Sequence, residues 1–240
     1  MIDIHNHIIP GIDDGAQTLA DALVLLQLAV DDGITHLVCT PHMHAGRFNN
    51  CIETIRPGFK GLQKAAAESA LPIRLAMAAE VRISDDFIIQ LKQNKVPFIG
   101  RWQNKAVVLL EMPHDRIPVG IENLLDWLAQ QDILAIIAHP ERNKEIILRP
   151  GRAQSLAKHG ALFQLTSASV AGHFGESALK TAHWFLENEL AFCVASDAHN
   201  VKNRPPLMGA AYKTLEEMGG KELADKLCLN NPASLCETLF

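Results

Sequence analysis

Two histidines, His5 and His7, close an isoleucine-rich run at the start of the chain (Met1-Ile2-Asp3-Ile4-His5-Asn6-His7), and Asp13-Asp14-Gly15 follows a few residues on. In an extended segment the i, i+2 spacing puts both imidazoles on one side. Neutral imidazole nitrogen and carboxylate oxygen are ordinary ligands for zinc, manganese or iron, so this stretch reads as one wall of a metal site. Residues of the same kind recur after later apolar runs: His42, Glu80, Glu111, His139, Asp197 and His199. Each of them alone is explained equally well as a cap or a loop residue. Their joint placement is not.

With Asp14 included, the set holds five imidazoles and four carboxylates. One ion takes about four to six ligands, so the set implies two or three ions bridged by shared carboxylates. No cysteine belongs to it, which points away from structural zinc and towards manganese, iron or catalytic zinc. Arg142 follows His139 by three residues and Arg204 follows His199 by five. Guanidinium forks bind phosphate oxygens bidentately, so arginines beside a multinuclear site suggest phosphoryl transfer, and Arg47 is a third candidate on the rim. His44, two residues beyond His42, is a candidate acid or substrate contact. His36, His114, His159, His173 and His183 are read as surface or core residues.

The elements that must carry these groups are apolar runs at Met1–His5, Thr35–Thr40, Ile73–Ala79, Ala106–Glu111, Ile133–Ala138, Ala161–Thr166 and Ala191–Ala195. Segments of helical period lie between them. Thr18–Asp32 is the cleanest, with Thr18 as N-cap and Gly33 as its stop. The others are Ile52–Ser69 (broken near Pro57-Gly58), Asp85–Lys95, Val119–Gln131, Lys144–His159, Glu176–Asn188 and Leu207–Met218. Strands alternating with helices predict an α/β fold with a parallel sheet. Ligand-type residues after six of seven strands favour a barrel, which gathers every strand end at one mouth, over an open sheet, which gathers them only at its switch point.

The 240 residues suit one domain spanning 1–240, and 48% hydrophobic residues can build a single large core. A net charge of −5 without any basic run excludes an extended nucleic-acid footprint. The five cysteines form no CxxC pair and sit mostly among apolar neighbours, which predicts free thiols and the cytoplasm. No signal peptide and no membrane-length apolar run is present, so membrane insertion is not expected. Cysteine-dependent phosphatase chemistry is excluded by spacing. It needs Cys-x5-Arg, and the residues six after Cys39, Cys51 and Cys193 are Ala45, Pro57 and His199.

These motifs in this order resemble the polymerase-and-histidinol-phosphatase (PHP) superfamily, in particular its manganese-dependent protein-tyrosine phosphatases of bacterial capsule and exopolysaccharide loci, the CpsB/CapC/YwqE type. The resemblance runs through Thr40-Pro41-His42, Ala79-Glu80, His139-Pro140-Glu141-Arg142 and Ser196-Asp197-Ala198-His199-Asn200 with Arg204-Pro205-Pro206. It implies a distorted seven-stranded β/α barrel holding up to three ions, Mn²⁺ first, with Fe or Zn as alternatives. By position, one ion takes His5, His7, Glu80 and Asp197. A second shares Glu80 and adds Glu111 and His139, and a third takes Asp14, His42 and His199. Arg142 and Arg204 match the phosphate-binding arginines of the family. Asn143 stands where these phosphatases often carry an aromatic residue. The implied substrate is a phosphotyrosine protein, a membrane-associated tyrosine kinase of polysaccharide export, and oligomers are compatible with this. Within enzymes the rivals are a histidinol-phosphate or other small-molecule phosphatase and a 3′ exonuclease; outside them, a non-catalytic metal-binding docking module.

Overall fold

Successive side chains of a strand point to opposite sides, and here both sides are apolar. In the computed structural model, which describes residues 1–240, Val107 and Leu109 join a buried cluster with Ile2, Ile4, Val38 and Ile136. Val108 and Leu110, from the same run, join a larger cluster under the helices. The strands are β1 (Ile2–Asp3), β2 (His36–Cys39), β3 (His42–Met43), β4 (Arg74–Met77), β5 (Glu80–Arg82), β6 (Gly100–Trp102), β7 (Lys105–Glu111), β8 (Ile133–Ala138), β9 (Leu162–Thr166) and β10 (Ala191–Ala195). Each of the seven expected runs contains one of them.

The strands do not form one closed ladder. A three-stranded sheet runs β1-β2-β4, and a seven-stranded sheet runs β10-β9-β8-β7-β5-β3, with β6 antiparallel to β7. All the other pairings are parallel. The expected runs Thr35–Thr40 and Ile73–Ala79 hold β2 and β4, and just past each of them the chain enters the larger sheet as β3 and β5. Thr40-Pro41 separates β2 from β3, and Ala78-Ala79 separates β4 from β5; proline has no N–H to give a ladder. Backbone bonds tie the two sheets together where β1 meets β10: Asp197 N–H to His5 O (2.7 Å) and His7 N–H to Ala198 O (2.8 Å).

The helices are α1 (Leu19–Asp31), α2 (Ile52–Glu68), α3 (Asp85–Lys92), α4 (Ile121–Gln130), α5 (Lys144–Leu148), α6 (Gly151–Lys158), α7 (Ser167–Val170), α8 (Glu176–Glu187), α9 (Gly209–Asp225) and α10 (Asn231–Cys236). Thr18 caps α1 in a reciprocal box with Asp21. The expected break at Pro57 is absent, and α2 continues through it. Proline there removes only the bond to the carbonyl of exposed Glu53, and Gly58 lets the helix approach Ile9, whose Cγ2 would be 2.8 Å from an added Cβ. The expected helix over 144–159 is split, because Arg149, which precedes Pro150, is driven out of the helical region to φ −142°. No helix is long and apolar enough to cross a membrane, and all five cysteines are free thiols.

Candidate metal centre

The two sheets bring the nine expected side chains to one end of the strands. His5 and His7 follow β1, His42 and Glu80 open β3 and β5 as a parallel pair, Glu111 ends β7, His139 follows β8, and Asp197 and His199 follow β10. His5 Nε2 and His7 Nε2 stand 3.4 Å apart. Each lies 3.3 Å from Glu80 Oε2 and 3.4 Å from Asp197 Oδ1. Ligand atoms on adjacent corners of a tetrahedron drawn about 2.1 Å around an ion are about 3.4 Å apart, so these spacings fit a cation. Glu80 Oε2 and Asp197 Oδ1 are buried and have no hydrogen-bond partner. A cation is what satisfies such oxygens; left bare, they are costly.

Further groupings surround this one. Asp14 Oδ1 is 3.5 Å from both His42 Nε2 and His199 Nε2. His139 Nε2 is 2.9 Å from Glu80 Oε1, and His42 Nδ1 is 2.9 Å from Glu80 Oε2 and 3.8 Å from Glu111 Oε2. By distance alone, His42 also falls with Glu80 and Glu111, and His139 with His5 and Asp197. Glu80 is therefore the carboxylate shared most widely. Two ligand-bearing residues, His139 (φ 34°) and Asp197 (φ 52°), adopt the left-handed region, which costs energy outside glycine and clusters at functional sites.

Hydrogen bonds behind the rings fix their tautomers. His7 Nδ1 donates to Asp13 Oδ2 (2.7 Å), His5 Nδ1 to Gln164 Oε1 (2.7 Å), and His199 Nδ1 to the Asp197 carbonyl (3.0 Å). Each Nε2 lone pair is thereby aimed into the cluster, as metal-bound histidines require. Asp13 also accepts from the amides of Gly15 (2.9 Å) and His42 (3.0 Å), binding three segments together. A Cβ on Gly15 would sit 1.9 Å from the His7 carbonyl oxygen, so only glycine lets this turn fold against the ligand. Beneath it, buried Asp3 accepts from Ser196 N–H (2.9 Å) and Ser196 Oγ–H (2.6 Å), anchoring the Asp197 loop to β1.

Without metal, the charges pull on one another. Burial opposes a charge on His7, but the carboxylates of Asp13, Asp197 and Glu80 outweigh it and raise the ring well above the usual imidazole value. His5 is raised in the same way, burial being overcome by Glu80 and Asp197. Burial and His7 push His199 down to about 4. Raised histidines stabilise the metal-free fold fully below the unfolded value of about 6.5, and that contribution fades as the pH climbs through the raised values. Metal needs the neutral rings, so its binding tightens over the same window and releases protons. Melting curves of metal-stripped and Mn²⁺-loaded protein from about pH 6 to about pH 9 should therefore diverge, the loaded form gaining and the stripped form losing.

Arg142 Nη1 donates to Asp197 Oδ2 at 2.5 Å, and Arg204 pairs with the same oxygen. Arg47 is more exposed and reaches Asp14 Oδ2 at 3.3 Å. His44 belongs to none of the ligand groupings; its backbone pairs with Phe48 in a tight turn, and its pKa is lowered by burial and by Arg82. Asn143 lines a small cavity with Glu111, His139 and Arg142, but its side-chain amide is committed to backbone groups. It is buried, accepts from the Glu145 and Ile146 amides and donates to the Pro113 and Arg116 carbonyls. Among the residues the sequence did not single out are Arg82, which holds Glu111 at 2.9 Å, and His114, which lines a small cavity with Glu111, His139 and Arg142.

The chain matches the family model for capsular polysaccharide synthesis, CpsB/CapC, over residues 1–237. It is 35% identical to tyrosine-protein phosphatase YwqE of Bacillus subtilis over 230 residues, 96% of this chain and 89% of that protein. With tyrosine-protein phosphatase CpsB of Streptococcus pneumoniae it shares 30% identity over 241 residues, 98% of each chain. A crystal structure from work on these two proteins, described as metal-dependent tyrosine phosphatases, superposes with a TM-score of 0.91 at 34% identity, covering 100% of this chain and 96% of the other. A metal-type cluster of histidines and carboxylates bordered by paired arginines, on a fold shared over the full length, makes this chain a member of the CpsB/CapC family of capsular polysaccharide synthesis.

Proposed function

We propose that this chain is a metal-dependent phosphomonoester hydrolase that removes phosphate from protein phosphotyrosine. The observation that carries the reading is the pairing of Arg142 and Arg204 with one oxygen of Asp197 while the other oxygen faces His5 and His7. Phosphate-binding forks thus border the metal cluster, and the names of the relatives supply the phosphotyrosine.

In this reading His5, His7, Asp14, His42, Glu80, Glu111, His139, Asp197 and His199 hold up to three ions. Mn²⁺ is the first choice, and Fe or Zn the alternatives; an all-nitrogen and oxygen donor set supports each of them. When bound, such ions supply a hydroxide nucleophile at neutral pH and neutralise charge on the phosphoryl oxygens. Arg142 and Arg204 orient the phosphate and stabilise the charge that develops on it. Arg47 serves the rim. The leaving phenolate, with a pKa of about 10, needs little protonation. His44, whose pKa burial and Arg82 lower, is the candidate acid where one is required. We further read the two joined sheets as one distorted seven-stranded barrel in a single domain. A cytoplasmic location, and a membrane-associated tyrosine kinase of polysaccharide export as substrate, accord with the free buried thiols and the capsule family.

The test is hydrolysis of a phosphotyrosine peptide, histidinol phosphate and a single-stranded oligonucleotide by metal-stripped protein with and without Mn²⁺. The expected result is metal-dependent turnover preferring the peptide, with Arg142→Ala lowering kcat by about 10²- to 10³-fold. Preference for either of the other substrates, or no turnover by loaded protein, would overturn the reading.

A further inference from the structure

The phosphate arginines share a neighbour that no part of the metal cluster uses. Phe174 lies in Gly172-His173-Phe174-Gly175, the turn between α7 and α8, and the Arg142 guanidinium sits 5.0 Å from its ring centroid. Phe174 also lines a cavity of about 110 Å³ that includes Arg204. The rest of the lining is mixed, with Ala168, Ala171, Pro205 and Leu207 on the apolar side and Asp32, Ser167, His173, Ser196 and Asn203 on the polar side. The turn is held in place: His173 N–H donates to Ala168 O at 2.7 Å, and the glycines on either side of the His173-Phe174 pair have φ of +83° and +86°. A half-buried ring thus stands beside both groups that would grip a phosphate. A second aromatic, Phe48, is already occupied, with His42 stacked at 5.5 Å and the Arg47 guanidinium at 4.9 Å.

We propose that Phe174 and the Pro205–Leu207 wall of this cavity form the aryl subsite, receiving the ring of phosphotyrosine when its phosphate is held by Arg142 and Arg204. The inference rests on the phosphatase reading above for its substrate and adds the residue that selects the aryl ester. One aromatic face and the Pro205–Leu207 wall within this mixed lining reward a flat ring through area burial and ring–ring packing, neither of which a phosphoserine or a sugar phosphate can match. It also accounts for a phosphotyrosine site without an aromatic residue at 143, since the Asn143 side chain is spent on the Pro113 and Arg116 carbonyls.

The experiment is calorimetric binding to Mn²⁺-loaded protein of a peptide bearing a non-hydrolysable aryl phosphonate, beside inorganic phosphate, for wild type, Phe174→Ala and Phe174→Leu. Metal content and melting temperature are measured for each. Phe174→Ala is expected to weaken the aryl phosphonate about tenfold and to change inorganic phosphate by less than about twofold, with Phe174→Leu between wild type and alanine. Equal losses for both ligands would mean that Phe174 only props Arg142, and no loss for either would mean that the ring binds elsewhere; both outcomes overturn the subsite. Protein that binds the aryl phosphonate through Phe174 yet fails to hydrolyse phosphotyrosine would keep the subsite and sink the phosphatase reading instead.

Discussion

Glu80→Ala is expected to cost more than about 10³-fold in turnover of a phosphotyrosine peptide, beyond the loss of any single charge-stabilising donor. The carboxylate is fully buried, and its oxygens lie within 3.3 Å of His5, His7, His42 and His139. Burial works against its charge, yet His5, His42 and His139 hold its pKa well below the usual carboxylate range. No other carboxylate of the cluster stands this close to so many of its imidazoles. Without it, His42 and His139 lose their nearest carboxylate and the Nε2 atoms of His5 and His7 keep only Asp197, so bound metal per chain should fall along with activity. Glu80→Gln removes the charge at constant shape and should fail in the same way. Elemental analysis and steady-state kinetics on both variants check this; a variant with full metal and near-normal kcat would remove Glu80 from the centre.

Asp197→Asn should lower kcat/KM for the same peptide by at least about 10³-fold, because one carboxylate serves both halves of the site. Its Oδ1 faces the His5 and His7 nitrogens, while its Oδ2 anchors Arg142 and Arg204. Asparagine tolerates the left-handed backbone found here, so the change isolates charge from conformation. The informative measurement is a double-mutant cycle with Arg142→Ala. Groups that act as a unit are non-additive, and the double variant should be scarcely worse than Asp197→Asn alone. Additive losses would mean that the arginine and the carboxylate work independently.

Much of this site was legible because ligand chemistry and strand position reinforce each other. His5 and His7 advertise a shared face by spacing, and histidines or acids after six of seven apolar runs are not jointly explained as caps or loop residues. Asp13 and Gln164 were not legible as the groups that orient His7 and His5. Gln164 is 159 residues from His5, and within Leu162–Thr166 it reads as one polar residue of a buried strand. Phe174 and His114 lie in turns whose place at the mouth depends on how β7 and β9 end, which periodicity does not encode. The short strands β3 and β5 beyond Thr40-Pro41 and Ala78-Ala79 were equally hidden, since two or three residues carry no periodicity of their own. So was β6, joined to β7 through Gln103-Asn104, a turn with both residues at positive φ and no glycine to announce it.

The divided sheet bears on how long the protein survives in a cell. His5 and His7 follow β1 of the smaller sheet, while Glu80, Glu111, His139 and Asp197 stand at strands of the larger one, so any ion held among them adds a tie between two sheets already joined by a shared buried cluster and by the Asp3–Ser196 bonds. Ligand that binds only the native state stabilises it by mass action. Scarcity of metal would then be felt as more than idle enzyme: the native state loses that stabilisation, and a larger unfolded fraction is offered to proteases. Abundance of the protein, and with it the balance of phosphate on its partners, would track the metal supply of the cell.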